Sequence, residues 1–343
     1  MGRGVLYLVI TVVLFLSVLA SGQSAQPGEA PLSGGDSSNP AQPLVKVPAN
    51  TIIVKGAWSS ASDSVTPVPE GAKFSDGIFD NAYFGIKYTL PAGWAKSYDG
   101  PPPSDSGRYV LAQIRIQDPK DQTSYGNMLI TADDLFFTVL PADDAVELVG
   151  YMKDHLQKGY QLEQPPTSTQ IAGHPFRFFS YWSPVAELHW YVAATEIRCH
   201  AVEISFISRD TRLLKNGLLA LNQMTLPDGA LATAGTGGSS FPVCIKDYAR
   251  AETLLTRVDP VFSEPRGNPV PVRIIIGKDG KVTHIHFLSA FPEQAKAIHD
   301  ALLEWRFKPY LKNGQPAEVE TGILFGRAQG RATASPVASS TTQ

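Results

Sequence analysis

The sequence predicts an α+β fold of two domains, each an antiparallel sheet packed with helices. Three observations lead there. Runs of alternating apolar residues recur and are punctuated by Asp-Gly and Asn-Gly, the pattern of antiparallel hairpins. Between them lie segments whose apolar residues repeat at helical spacing. A stretch poor in large apolar residues, 228–241, separates one set of elements (78–227) from another (242–327).

The chain opens with Arg3 and an apolar run from Val5 to Ala20, roughly sixteen residues. That is the long edge of a signal-peptide core and short of a spanning helix. Val18-Leu19-Ala20 fits the small-residue cleavage rule, so residues 1–22 read as a signal peptide, with an uncleaved inner-membrane anchor as the alternative. Residues 23–50 (Ser, Gly, Pro, Ala) and the tail 328–343 bury too little apolar surface to offset their ordering entropy and are expected to be disordered. Thr51 to Val54 is a candidate accessory strand. Otherwise order is expected from about Ile78.

In residues 78–227, Tyr83 to Leu90 reads as a strand entering the turn Pro91-Ala92-Gly93-Trp94. Tyr109–Ile116 and Met128–Thr131 are further strands. Asp143 to Lys158 reads as a helix with Ala145, Leu148, Met152 and Leu156 inward, acids at its start and Lys153 and Lys158 near its end. Phe176–Tyr181, Leu188–Ile197 and His200–Ile207 are β-rich. Asp210 then caps a helix striped by Leu214, Leu218 and Leu221. The Tyr83-Phe84-Gly85…Leu90-Pro91-Ala92-Gly93-Trp94 phrase and the element order resemble the PsbP-like α/β sandwiches.

In residues 242–327, Val270, Val272, Ile274 and Ile276 share one face of a strand, and Asp279-Gly280 turns it into Val282–Leu288. Glu293 to Arg306 is helical, with Ala295, Ile298, Leu302 and Trp305 on one stripe and Pro292 just before it, where a missing N–H is harmless. Trp305 and Phe307 straddle the helix exit, Asn313-Gly314 makes a second tight turn, and Val319–Phe325 closes the sheet.

The residues Asp279-Gly280, Trp305-Arg306-Phe307-x-Pro309, Asn313-Gly314 and the final strand resemble the closing half of the TonB C-terminal domain family, over about residues 254–326. Val258-Asp259-Pro260-Val261-Phe262 is similar to that family's opening. The family then has a helix where only Ser263 to Asn268 intervenes here, so that helix is expected to be lost or reduced to a turn. The resemblance implies that the last strand, Val319, Glu320, Thr321, Gly322, Ile323, Leu324 and Phe325, is a free edge that accepts an extended segment of a protein partner, such as an outer-membrane transporter or another envelope protein. Glu318 and Glu320 read equally as guards against unwanted pairing.

Elsewhere the chemistry reads as bland. A formal charge of −3 gives no sign of a nucleic-acid surface, and the membrane enters only if the N-terminal segment is retained. Gly235 to Ser240 lacks the strand, helix and Lys of a phosphate loop and reads as linker. His284 and His286 share a strand face with no acidic or Cys ligand near in sequence, and read as partly exposed imidazoles. His189, Cys199 and His200 do not converge, because neighbours on a strand point to opposite faces. Asp133-Asp134 and Asp143-Asp144 read as loop and helix-start acids. Tyr181, Trp182, Trp190 and Tyr191 read as sandwich core rather than binding rim. The two cysteines, Cys199 and Cys244, read as buried thiols; the alternative, a bridge, would tie the two domains and close a loop worth roughly 4 kcal/mol of chain entropy.

No nucleophile elbow, zinc-binding helix motif or CxxC is present, and no cofactor is implied. The expected function is that of an exported periplasmic or envelope protein with a docking module and no enzymatic activity. The alternatives are a membrane-anchored TonB-like energy transducer for outer-membrane transport, and an envelope enzyme with chemistry in residues 78–227.

Overall fold

Antiparallel sheet dominates the architecture, with three α-helices among the described residues, a mixed α+β composition. The computed structural model describes residues 51–53, 61–63, 69, 72–98, 107–137, 142, 144–227, 241–262 and 269–325. The stretches expected to be a signal peptide (1–22), a disordered segment (23–50), nearly all of a linker (228–241) and a tail (328–343), together with Asp143 and residues 263–268, where a helix is expected to be lost, lie outside them.

The strands run β1 (Thr51–Ile53), β2 (Ala61–Asp63), β3 (Lys73–Ser75), β4 (Ile78–Asn81), β5 (Ile86–Thr89), β6 (Ala95–Tyr98), β7 (Arg108–Asp118) and β8 (Asp121–Asp134). After helix α1 (Ala145–Asp154) come β9 (Gln161–Ile171), β10 (His174–Ser183), β11 (Leu188–Ile197) and β12 (His200–Ser208). Helix α2 (Thr211–Ala220) leads to β13 (Val243–Cys244), β14 (Leu254–Thr256), β15 (Val270–Ile276) and β16 (Val282–Phe287). Helix α3 (Pro292–Glu304) precedes β17 (Arg306–Phe307), β18 (Tyr310–Lys312), β19 (Gln315–Ala317) and β20 (Val319–Phe325).

Two sheets hold most of the strand residues described. One has seven strands in the order β6-β7-β8-β12-β11-β10-β9, the other six in the order β1-β2-β16-β15-β20-β13. Helix α2 lays Leu213 and Leu214 on a core with Phe206, Ile114 and Met128, while α1 lays Leu148 and Val149 on the opposite side of the same sheet with Phe179, Tyr181 and Trp190. In the six-stranded sheet, Val270, Val272, Ile274 and Ile276 pack with Ile298, Leu302 and Trp305 at α3.

Local chemistry sets the element ends. The Asp144 carboxylate accepts from Val146 and Glu147 N–H, each at 2.8 Å, and Asp210 accepts from Arg212 N–H at 2.8 Å. Helix α3 starts on Pro292, and the Gln294 side chain accepts from Phe291 N–H at 3.2 Å. Helix α1 stops at Asp154, short of the expected Lys158, because His155 leaves helical geometry and turns its ring Nδ1 back onto Tyr151 O at 2.8 Å. The expected strand Tyr83–Leu90 is only Ile86–Thr89, since Asn81 Oδ1 accepts from Phe84 N–H at 3.0 Å and closes a turn ahead of it. Strand β8, fourteen residues long, far exceeds the expected Met128–Thr131. The candidate accessory strand is present as β1 (Thr51–Ile53), and order also precedes Ile78 at β2 and β3.

Strand β15 keeps its expected apolar face against α3 and is buried on the opposite face as well. In β15 every residue is buried, not only the Val270-Val272-Ile274-Ile276 face. Its other face, with Arg273 at the middle, is covered by residues from the end of the seven-stranded sheet, and that contact organises the rest of the molecule.

Candidate functional site

Where the two large sheets meet, four strands each bring one end of a charge cluster. Strand β8 ends in Asp133 and Asp134, side by side and almost fully buried, so they are neither loop acids nor solvent-facing. Asp133 receives both of its bonds from Arg108 Nη1, at 3.1 and 3.0 Å, at the start of β7. Asp134 faces the other way and lies 2.7 Å from Arg273 Nη1 on β15. Arg273 also reaches Glu320 of β20 at 3.2 Å and donates to Arg198 O at 3.0 Å.

Arg198 comes from the turn between β11 and β12, where Ile197 pairs with His200 across only two residues. Both turn residues have left-handed backbones, Arg198 at φ 50° and Cys199 at φ 57°. Such a turn favours Asn and Gly, and non-glycine residues persist in it only when their surroundings over-determine the geometry. Here they do. Leu135 N–H donates to Cys199 O at 2.9 Å, and the Arg198 guanidinium donates to Tyr83 O at 3.0 Å and to Glu320 at 3.3 Å while stacking 3.9 Å over the Tyr83 ring.

Glu320 is the hub. It accepts from the Tyr83 hydroxyl at 3.0 Å as well as from Arg198 and Arg273. Burial pushes its carboxyl up, but the two guanidiniums and the phenol outweigh that and leave it below the usual carboxylate range. Burial drives the Tyr83 phenol far above its ordinary value, so it stays a donor. His200 is buried completely against Tyr83, Phe84 and Tyr109; burial and the nearby Arg273 hold it well below 6.5, hence neutral. Its Nδ1–H donates to Arg198 O at 2.7 Å, and its 3.7 Å approach to Asp134 is therefore not an ion pair.

The cluster surrounds a cavity of about 10 Å³ lined by Tyr83, Arg198, Arg273, His284, His286 and Glu320. That is room for roughly one water and far below the several hundred Å³ of a small-molecule site. The arrangement is a polar joint between sheets. Among the described residues no group of three or more His, Cys, Asp or Glu is placed to hold a metal ion.

The expected free edge is corrected by β13. Strand β20 lies between β15 and β13, and β13 runs parallel to it with Val243 opposite Val319 and Cys244 opposite Glu320. Val243 N–H donates to Glu318 O at 2.7 Å and Ile245 N–H to Glu320 O at 3.1 Å. Thr321 is held too, its hydroxyl against Lys246 O and Tyr248 N–H at 3.2 Å each. Val319, Glu320 and Thr321 are therefore occupied, and Glu320 is a buried charge rather than an edge guard. Gly322, Ile323, Leu324 and Phe325 have no second partner strand among the described residues, and Leu324 is 62% exposed.

The cysteines also depart from the free-thiol expectation. Cys199 and Cys244 form a disulfide that joins the β11–β12 turn to β13, with Cys199 buried and Cys244 exposed.

The other motif residues hold the unit around α3 together. Asp279 caps its turn by accepting from Lys281 N–H at 3.1 Å, and Gly280 (φ 79°) accepts Phe307 N–H at 2.8 Å. Trp305 is buried and donates its indole N–H to Val258 O at 2.7 Å, which ties in the Val258–Phe262 segment. Arg306 folds back to bond Leu303 O and Trp305 O, each at 2.7 Å, and Pro309 is exposed. Asn313 (φ 53°) and Gly314 (φ 79°) form the β18–β19 turn. His286 is buried, not partly exposed as expected, while His284 is half-buried; His189 pairs with Glu163 at 2.9 Å, far from the joint. Tyr181 and Trp190 stack in the core, and Trp182 and Tyr191, their strand neighbours, are half-exposed.

Sequence reasoning passed over Arg198, Arg273 and Tyr83. The signal available was Arg273 itself, a lone charge inside Val-Pro-Val-Arg-Ile-Ile-Ile.

No family model matches the sequence, and no curated protein matches it. Among solved structures, the solution structure of cyanobacterial PsbP (CyanoP) from Synechocystis sp. PCC 6803 is similar at 15% identity and a TM-score of 0.30, over 46% of this chain and 99% of that one. So loose a likeness carries neither fold detail nor function across. No helix among the described residues is long and apolar enough to cross a membrane.

Proposed function

We propose that this chain is an exported, non-enzymatic envelope protein of two domains whose C-terminal unit, residues 242–327, docks an extended segment of a protein partner. The observation that carries the reading is the outer side of Gly322–Phe325. Glu318 O and Glu320 O point away from β15 toward β13. The two-residue period of a strand aims the N–H and C=O of Gly322 and Leu324 the same way, beyond the end of β13. A short run of outward backbone groups beside a half-exposed apolar surface suits strand addition. The likeness of Trp305-Arg306-Phe307, Asn313-Gly314 and the closing strand to the TonB C-terminal family supports the same mode, with the receptive stretch shortened to the last four residues.

The test is amide exchange of the full chain against a library of extended peptides. The expected result is slowed exchange at Gly322 and Leu324 on binding, and loss of binding in Leu324→Pro, which lacks the outward N–H while the bonds to β15 stay. Peptides that protect another surface, or that bind L324P equally, would overturn the reading.

A further inference from the structure

We infer that the Cys199–Cys244 bridge is a redox latch that sets how much of β20 is open; what the opened length would receive rests on the docking reading above. Strand β13 is two residues long and is held on β20 by a short parallel ladder, flanked by the bonds Val243 N–H to Glu318 O and Ile245 N–H to Glu320 O. The bridge ties it to the β11–β12 turn, and next to it the Phe241 ring lies 5.3 Å from the Arg198 guanidinium.

The two sides of the bridge are not equally anchored. The Cys199 side is fixed without it, since Leu135 holds Cys199 O, Arg273 holds Arg198 O, and Arg198 is bound to Tyr83 and Glu320. Strand β20 is fixed as well, paired along all seven residues with β15. On the other side Ile245 packs against the core around α3, and the chain is hydrogen-bonded again at Lys246–Tyr248, where Thr321 and Lys308 O bind it. Opening the bridge therefore loosens β13 and the Ile245 N–H bond, and adds the outward backbone of Glu318 and Glu320 to that of Gly322 and Leu324, while the Thr321 hydroxyl stays held by Lys246 and Tyr248.

Access favours the step. Cys244 is exposed and Cys199 is buried, so an external dithiol reaches the Cys244 sulfur. Its thiolate attacks Cys244 Sγ, the S–S bond breaks, and Cys199 leaves as a thiolate that takes up a proton. The second thiol of the reagent then attacks the mixed disulfide, releasing Cys244 as a thiol. The protein disulfide gains two electrons and the dithiol becomes a cyclic disulfide.

Amide exchange on the full chain, oxidised and after dithiothreitol, decides it. The Val243 and Ile245 amides are expected to exchange at least about tenfold faster after reduction, with Ile274 and Thr321 amides on the β15–β20 ladder unchanged. Cys244→Ser without reductant is expected to give the same pattern. Unchanged exchange at Val243 and Ile245 would overturn the latch, as would loss of protection across β15 and β20, which would make the bridge a general staple. Peptide binding is read separately. If no peptide protects Gly322–Phe325 in either state while Val243 and Ile245 are released, the docking reading falls and the latch stands.

Discussion

Arg198 and Glu320 lie 122 residues apart in sequence and meet at 3.3 Å with side chains only 5% and 3% exposed. One belongs to a turn of the seven-stranded sheet, the other to the last strand of the six-stranded sheet. A charge pair so placed contributes little net stability compared with apolar residues, but removing one partner strands the other in a dry interior.

Glu320→Ala takes the acceptor from the Tyr83 hydroxyl and the counter-charge from Arg198, which keeps only Tyr83 O, and leaves Arg273 with Asp134 and Arg198 O. The expected loss is about 3–5 kcal/mol in urea unfolding. Glu304→Ala, on the exposed side of α3, should stay within about 0.5 kcal/mol of the parent. A small effect at Glu320 would mean that water reaches the joint.

The tight turns make a paired test of backbone space. Gly280 has φ 79°, and a Cβ there would stand 2.1 Å from Phe307 O, a backbone atom fixed by its own ladder. Gly314 has the same φ of 79° with nothing within 4 Å of the added carbon. Gly314→Ala should cost about 1 kcal/mol, the left-handed penalty alone. Gly280→Ala should prevent β17 from closing on the turn and fail to give a cooperative melt at all.

Much of this was legible beforehand because local signals agreed with the tertiary outcome. Strands β11, β15 and β20 have the bounds expected of their β-rich runs, and Asp144, Asp210 and Pro292 mark helix starts. Strand β9 was not legible, because Pro165-Pro166 reads as a break. The two prolines fall at a register shift opposite Phe178–Ser180 on the outermost strand, where no ladder N–H is missed. The joint was hidden for a different reason. Charges at 133, 134, 198, 273 and 320 follow no periodicity, and only the meeting of two sheets gives them a common interior.

Trp305 couples the helix exit to the Val258–Phe262 segment through one indole bond. Trp305→Ala should cost about 3–5 kcal/mol. Trp305→Phe keeps most of the packing against Phe307 and Phe325 and should lose about 1–2 kcal/mol, the Val258 carbonyl being left to find water. Thermal melts of the three proteins order them.

His200 gives the molecule an acid-sensitive lock. The folded state holds it neutral, well below 6.5, while the unfolded chain protonates it near 6.5. Below that pH the unfolded state binds the extra proton, so stability is full above about 6.5 and falls as pH drops, by about 1.2 kcal/mol between pH 7 and 5.5. Burial raises the Asp133 and Glu203 carboxyls, whose slope on acidification is opposite, so the wild-type curve alone is a sum. The difference from His200→Phe isolates the imidazole. A phenyl ring keeps the edge contacts with Tyr83 and Phe84, and Arg198 O still accepts from Arg273, so the variant should fold and lack this component. Parallel urea-stability curves for the two proteins from pH 7 to 5.5 would show instead that His200 takes up its proton inside the folded joint, with Asp134 at 3.7 Å as its counter-charge.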